Sequence, residues 1–160
     1  MINIRKATLD DIDEIDKCNR LVLPENYDKK IYEQVFGYDG ISSFVVTKEK
    51  TNKIIGYIIS YVQQDNTKKT TIPSLEGHIM SIGILEDYRR KGYGKKLLEC
   101  VENDLKKRFN IKYMTLHVRK TNKPAQYLYS KLYYNRHKKI KKYYDNNKDD
   151  FLMKKYIIYE

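Results

Sequence analysis

The sequence predicts an α/β fold, a mixed sheet with helices packed on it. Three observations carry that expectation. Short segments rich in β-branched residues, such as Ser43 to Thr47, have the character of strands. Between them, Leu97, Leu98, Val101 and Leu105 recur at helical spacing. The chain has 160 residues, 41% apolar and 12% aromatic, enough to bury one core, so residues 1–160 are expected to form a single domain.

The elements follow in order. Ile2 to Arg5 alternates and reads as a strand. Thr8-Leu9-Asp10-Asp11 resembles a capping box, with a hydroxyl for a free helix N–H and carboxylates near the positive end of the dipole, so a helix carrying Ile12, Ile15 and Cys18 on one face follows. Leu21 to Tyr27 contains Pro24 and is expected to be a loop, and Lys29 to Phe36 a short helix. Ser43 to Thr47 and Lys53 to Val62 flank a Thr51-Asn52 turn as an antiparallel hairpin. Gln63 to Ser74 is polar and is expected to be a surface loop. Gly77 to Leu85 is a strand in which Gly83 marks a bulge or a close backbone approach. A helix runs from the Gly92-Tyr93-Gly94 turn through Lys107, a strand covers Tyr113 to Val118, and a helix Pro124 to Lys131 has proline in its first turn. Tyr133 to Lys142 and Phe151 to Tyr159 read as strands around an Asp145-Asn146-Asn147 turn.

Composition excludes several classes. With 7 Gly and 3 Pro the chain is neither collagen-like nor linker-rich. The longest apolar stretch, Ile54 to Val62, is too short to span a bilayer, and the charged start Met1 to Lys6 does not read as a signal peptide, so no membrane partner is expected. Cys18 and Cys100 form no C-x-x-C, which fits a reducing, cytoplasmic setting and no metal site. The net charge of +11 favours polyanionic neighbours. A chain rich in Lys, Asn, Ile and Tyr and lacking Trp also fits a low-GC genome, in which part of that charge is codon drift.

The unit that carries chemistry is a strand, then Arg89-x-x-Gly92-x-Gly94, then a helix. A helix opening leaves N–H groups unpaired, glycines let that backbone curl around a ligand, and the dipole favours negative charge. Arg89, Arg90, Lys91 and Lys95 surround it with cations. A P-loop lysine motif is absent, and Leu97 stands where a dinucleotide fingerprint needs its third glycine. An acyl-CoA pyrophosphate fits this loop better.

Those residues resemble the pyrophosphate loop of the GNAT acetyltransferases, and Asn122 with Tyr129 is similar to that fold's second cofactor segment. The resemblance covers nearly the whole chain and implies a mostly antiparallel mixed sheet with helices on both faces. Within the superfamily the chain resembles N-terminal acetyltransferase catalytic subunits. Leu23-Pro24-Glu25-Asn26-Tyr27 and Leu116-His117-Val118-Arg119-Lys120 are similar to NatA, while Ile79-Met80-Ser81-Ile82-Gly83 and Tyr88-Arg89-Arg90 are closer to NatE. Where many relatives carry Gly-Phe after the last helix, this chain has Tyr133-Tyr134.

The resemblance implies transfer of an acetyl group from acetyl-CoA to the α-amine of a protein N-terminus, by direct attack without a metal. His117, between Leu116 and Val118, faces opposite to both, and its counterpart is a base. His78 matches a position where Tyr or His relays the proton, and Glu25 one that orders the substrate N-terminus. Tyr129 would meet the departing thiolate. Ile82, Gly83 and Ile84 would offer backbone groups to the acetyl carbonyl and pantetheine arm, with Arg89 through Lys95, including Tyr93, around the pyrophosphate. Leu23, Pro24, Tyr27 and Met80 would line the peptide pocket, and Tyr143-Tyr144 would lie over the peptide backbone. An auxiliary subunit and ribosome proximity are the partners implied. Two rival readings are a GNAT enzyme acting on lysine side chains or small amines, and a basic RNA-associated module marked by Lys138, Lys139, Lys141 and Lys142.

Overall fold

The alternation and helical spacing above become, in chain order, β1 (Ile2–Lys6), α1 (Ile12–Val22), α2 (Lys29–Phe36), β2 (Ile41–Lys48), β3 (Ile54–Asp65), β4 (Ser74–Ile84), α3 (Tyr93–Phe109), β5 (Tyr113–Arg119), α4 (Lys123–Lys131), β6 (Asn135–Lys141) and β7 (Asp149–Tyr156). The computed structural model describes residues 1–66, 72–141 and 149–159. The described residues form one seven-stranded sheet in the order β1-β2-β3-β4-β5-β7-β6. Only β4 and β5 pair in parallel among them, because α3 carries the chain back across the sheet between those two strands.

Helices cover both faces. On one, α3 buries Leu97, Leu98, Val101 and Leu105 against Ile58, Ile79, Met114 and Leu116, and Tyr129 of α4 joins the same cluster. Each of those aliphatic side chains is worth about 1.5–3 kcal/mol on leaving water. On the other face, Ile12, Ile15 and Cys18 of α1 and Tyr32 of α2 pack on Val45, Tyr57 and Ile59. The α1 start is anchored by Asp11, whose carboxylate accepts from the Thr8 N–H at 2.8 Å and from both Arg5 terminal nitrogens at 2.8 and 2.9 Å.

Three boundaries differ from expectation. The polar stretch after Val62 is not all loop: β3 runs to Asp65 and β4 begins at Ser74, since Gln63 and Glu76 face each other in register. The bulge in β4 lies at Met80 rather than Gly83, because Ile59 pairs Ser81 while Ser60 pairs Ile79. The last strand stops at Tyr156. Tyr133 adopts φ 72°, in the left-handed region that glycine favours. A bulky residue there costs about 1–2 kcal/mol. Tyr134 compensates by burying its ring completely and donating its hydroxyl to Glu102 at 2.8 Å.

Candidate active site

The bulge builds the site. An extra residue in β4 reverses which side chains face which helices. Ile79 packs into the α3 cluster, yet beyond Met80 it is Ile82 and Ile84 that do so. Parallel pairing with β5 ends at Ile79 against Leu116, while β4 continues along β3 to Ile84 and β5 continues along β7 to Arg119. The strands therefore splay, and a cleft of about 990 Å³ opens between them.

Most of the expected residues meet there. Leu23, Pro24, Glu25 and Tyr27 line it from the α1–α2 connection, His78, Met80 and Ile82 from β4, His117 from β5, and Asn122 and Tyr129 from α4. Tyr27 donates its hydroxyl to the Met80 carbonyl at 3.3 Å, which ties the loop to the bulge. Leu116 and Val118 are buried in the α3 cluster, so His117 projects into the cleft. Its ring stands edge-on to His78, centroids 5.2 Å apart.

The two histidines are not equivalent. Burial, reinforced by the charge of His117, lowers the His78 pKa to about 4, so this ring is neutral at neutral pH. A pKa that low makes it a weak base, and its Nδ1 lies 2.8 Å from the Thr115 hydroxyl. Stability should record the shift. Below the unfolded value of about 6.5 the unfolded chain takes up a proton that folded His78 refuses, so stability falls as pH drops towards 4. Between about pH 7 and pH 4.5 this contributes about 2 kcal/mol, and urea melts of His78→Gln should show that much less acid destabilisation than the wild type. Equal acid sensitivity in both proteins would contradict the assigned burial.

Glu25 is paired with Arg119 across the cleft mouth. The backbone carbonyls of Arg119 and Lys120 each accept from Gln126 Nε2 at 2.9 Å, so Gln126 fixes α4 against the end of β5. Glu25 therefore stands at the cleft as part of a charge pair. Tyr129 is buried, and burial alone pushes its hydroxyl up to about 12, so it stays protonated as a donor. Asn122 uses its Oδ1 to cap α4, accepting from the Ala125 N–H at 3.2 Å.

The loop before α3 has the curl expected of an anion cradle. Arg90 at φ 62° and Gly92 at φ 85° are both left-handed, an arrangement that gathers N–H groups into a concavity ahead of Tyr93. A Cβ built on Gly92 meets no atom within 4 Å, so the backbone conformation, not crowding, calls for glycine there. At Gly94 a Cβ would only touch Leu128 of α4, at 3.5 Å. Arg90, Lys91 and Lys95 are exposed around the loop. Arg89 is exposed beside them, and its Nε donates to the Ile84 carbonyl at 2.9 Å, tying the loop to the end of β4. That carbonyl is accordingly engaged by Arg89. Gly83 is glycine because α1 approaches: a Cβ would sit 2.5 Å from Val22 Cγ2 and 3.0 Å from the Tyr57 ring. Tyr143 and Tyr144 lie outside the described residues, as do the side chains of Lys138, Lys139, Lys141 and Lys142.

Sequence reasoning missed Arg119 as the partner of Glu25, together with Tyr61, Ser81 and Thr115. Strand alternation carried part of the signal, since Thr115 lies two residues before His117 and Tyr61 pairs with His78 in register. Ser81 shares a 2.7 Å hydrogen bond with the Tyr57 hydroxyl, which accepts from Asn19 of α1 at 2.8 Å. This buried chain stiffens the cleft floor. Among the described residues no group of His, Cys, Asp and Glu side chains is arranged to hold a metal, and no helix is long and apolar enough to cross a membrane.

Comparison with known proteins places this architecture. The family model described as Acetyltransferase (GNAT) family matches residues 9–133. An N-alpha-acetyltransferase of Saccharolobus solfataricus is 39% identical over 152 residues, covering 94% of this chain and 90% of the relative. The N-terminal acetyltransferase A complex catalytic subunit ard1 of Schizosaccharomyces pombe is 33% identical, covering 96% and 85%. The crystal structure of Arabidopsis thaliana NAA60 in complex with acetyl-CoA has the same fold at 18% identity, with a TM-score of 0.85 over 98% of this chain and 99% of that one. From the matched family model and these relatives, the chain belongs to the GNAT acetyltransferase family.

Proposed function

We infer that the chain transfers the acetyl group of acetyl-CoA to the α-amino group of protein N-termini, residues 1–160 acting as one catalytic domain. The observation that carries this reading is the single cleft that joins the Leu23–Tyr27 loop to His117. Its α4 wall abuts the glycine loop at Leu128. Peptide and thioester can then meet on either side of one base. The N-alpha-acetyltransferase relatives at 37–39% identity over 94% of the chain support the same substrate class.

The chemistry follows from proton affinities. An α-ammonium has a pKa of about 7.7–8.0, so a modest base suffices to free its lone pair. His117 takes that proton, the amine adds to the thioester carbonyl, and the β4 edge beyond Ile79, unpaired by β5, offers backbone donors to the oxyanion. The C–S bond then breaks, the sulfur leaves as a thiolate, and the extra proton on the former amine nitrogen passes to it through solvent. A thiol titrates near about 8.5, whereas the Tyr129 hydroxyl is at about 12, so full proton transfer from Tyr129 is uphill by about 5 kcal/mol. Tyr129 therefore stabilises the leaving sulfur by hydrogen bonding and keeps its own proton. Glu25 and Arg119 order the incoming N-terminus, and Asn122 with Arg90, Lys91, Gly92 and Lys95 binds the cofactor.

The reading includes a cytoplasmic setting, an auxiliary subunit, supported by the relatives named as catalytic subunits of the N-terminal acetyltransferase A complex, and a basic surface near ribosomal RNA, supported by the net charge of +11. The test is a panel of peptides differing only in their first residue, with acetyl-CoA and thiol release as the readout. Turnover that depends on the first residue is expected, and no turnover with any free N-terminus would overturn the assignment.

A further inference from the structure

A second hollow, of about 360 Å³, adjoins the cleft and shares Tyr61, Gln63, His78 and His117 with it. It leads away from the peptide loop. Its lining comes from strands β3 to β7, reaching Leu152 and Lys154 on β7, whereas the Leu23–Tyr27 loop lines the cleft on the side of α1 and α2. Glu76 stands two residues before His78 on the same side of β4, about 6.6 Å along the strand, opposite Tyr113 in register.

The chain as a whole carries +11, yet the fixed charges of this hollow are two carboxylates, Asp65 and Glu76, and one ammonium, Lys154. Two of the three are engaged locally. Asp65 accepts from the Tyr113 hydroxyl. Lys154 is buried, with its ammonium over the rings of Tyr113 at 3.6 Å and Tyr156 at 5.1 Å. Glu76 accepts from a neutral donor, Gln63 Nε2, at 2.9 Å, and among the described residues no lysine or arginine forms an ion pair with it. Burial pushes its carboxyl up, Asp65 adds to this, and Gln63 and Lys154 oppose it. A carboxyl so placed gains from a cation, which restores part of the stabilisation that its charged form lost on leaving water.

An extended peptide sends successive side chains to opposite sides. With the α-amine at His117 and the first side chain against the Leu23–Tyr27 loop, the second side chain points away from that loop, towards β7 and into the hollow. A long side chain is needed to pass His78 and reach Glu76, and Tyr61 and Tyr113 offer rings for its stem. We propose that this hollow is the subsite for the second residue of the substrate, and that Glu76 makes it selective for arginine or lysine there. Glu76 is then a specificity-determining residue, remote from the reacting atoms. The proposal rests on the acetyltransferase reading above.

The test uses the full chain, acetyl-CoA and three peptides that share their first residue and differ only in the second, which is arginine, glutamine or glutamate. Arginine carries the charge without adding a second amine to acetylate. The value of kcat/KM should fall about tenfold from arginine to glutamine, and further to glutamate. In Glu76→Gln the arginine and glutamine peptides should become equal. The comparison is made within one protein, so a general loss of activity cancels. Should Glu76→Gln fail to fold, Glu76→Ala gives the second reading, with the same equality expected. Equal rates for the three peptides in the wild type, or an arginine advantage that survives either variant, would overturn the proposal. Turnover of all three at one rate would remove the subsite and leave the acetyltransferase reading standing, whereas no turnover with any of them would overturn both.

Discussion

Replacing His117 by alanine should lower kcat by about 10²-fold or more, with acetyl-CoA affinity unchanged. General-base catalysis contributes about 10²–10⁴-fold where the base is well placed. The other candidates in the cleft are poor substitutes. His78 titrates at about 4, and Glu25 is paired with Arg119. The fold should tolerate the change, because the His117 side chain is exposed to the cleft between two buried neighbours. Steady-state turnover with a saturating peptide, beside calorimetry with acetyl-CoA, checks both halves. Near-normal turnover in His117→Ala would show that the proton leaves by another route.

The second large effect is expected at Gly92. Gly92→Asp places a carboxylate in an open concavity ahead of the α3 N-terminus, where two phosphates of the cofactor would lie, and acetyl-CoA affinity should collapse. The same change strains the backbone, since Gly92 has φ 85°. Gly92→Asn separates the two effects. Asparagine matches aspartate in size and tolerates the left-handed region, so it shares the strain and lacks the charge. Calorimetry should find much weaker binding for Asp than for Asn, and this difference should shrink in high salt. Equal affinities would remove the pyrophosphate from this loop. Failure of the wild type to bind acetyl-CoA would make the loop vestigial and favour a basic binding module instead.

The order of elements was readable because periodicity reports burial, and helices and strands here each bury one face. The Arg89-x-x-Gly92-x-Gly94 loop was readable because its chemistry is local. The position of the β4 bulge was not, since it is set by pairing with β3: Ile59 meets Ser81 while Ser60 meets Ile79. Of the two readings open at Gly83, the close approach fits and the bulge does not: its lack of a side chain accommodates Val22 of α1. The alternation argument for His117 held because Leu116 and Val118 pack as expected. Arg119 and Glu25 are 94 positions apart, and their pairing depends on how the α1–α2 connection crosses the cleft. Likewise, the role of Arg89 became visible only when the end of β4 was in place, with Ile84 as its acceptor.

The central claim is that the α-amine is the nucleophile. At neutral pH the neutral fraction of an α-amine exceeds that of a lysine by about 300-fold, so a mild base near one cleft favours N-termini without any further discrimination. The most direct measurement offers one peptide carrying a free N-terminus and an internal lysine, beside the same peptide blocked at its N-terminus, and maps the acetyl group by fragmentation mass spectrometry. Acetylation of the first peptide at the α-amine alone, with the blocked peptide untouched, is the predicted result. An acetyl group on the lysine of the blocked peptide at a comparable rate would contradict the account.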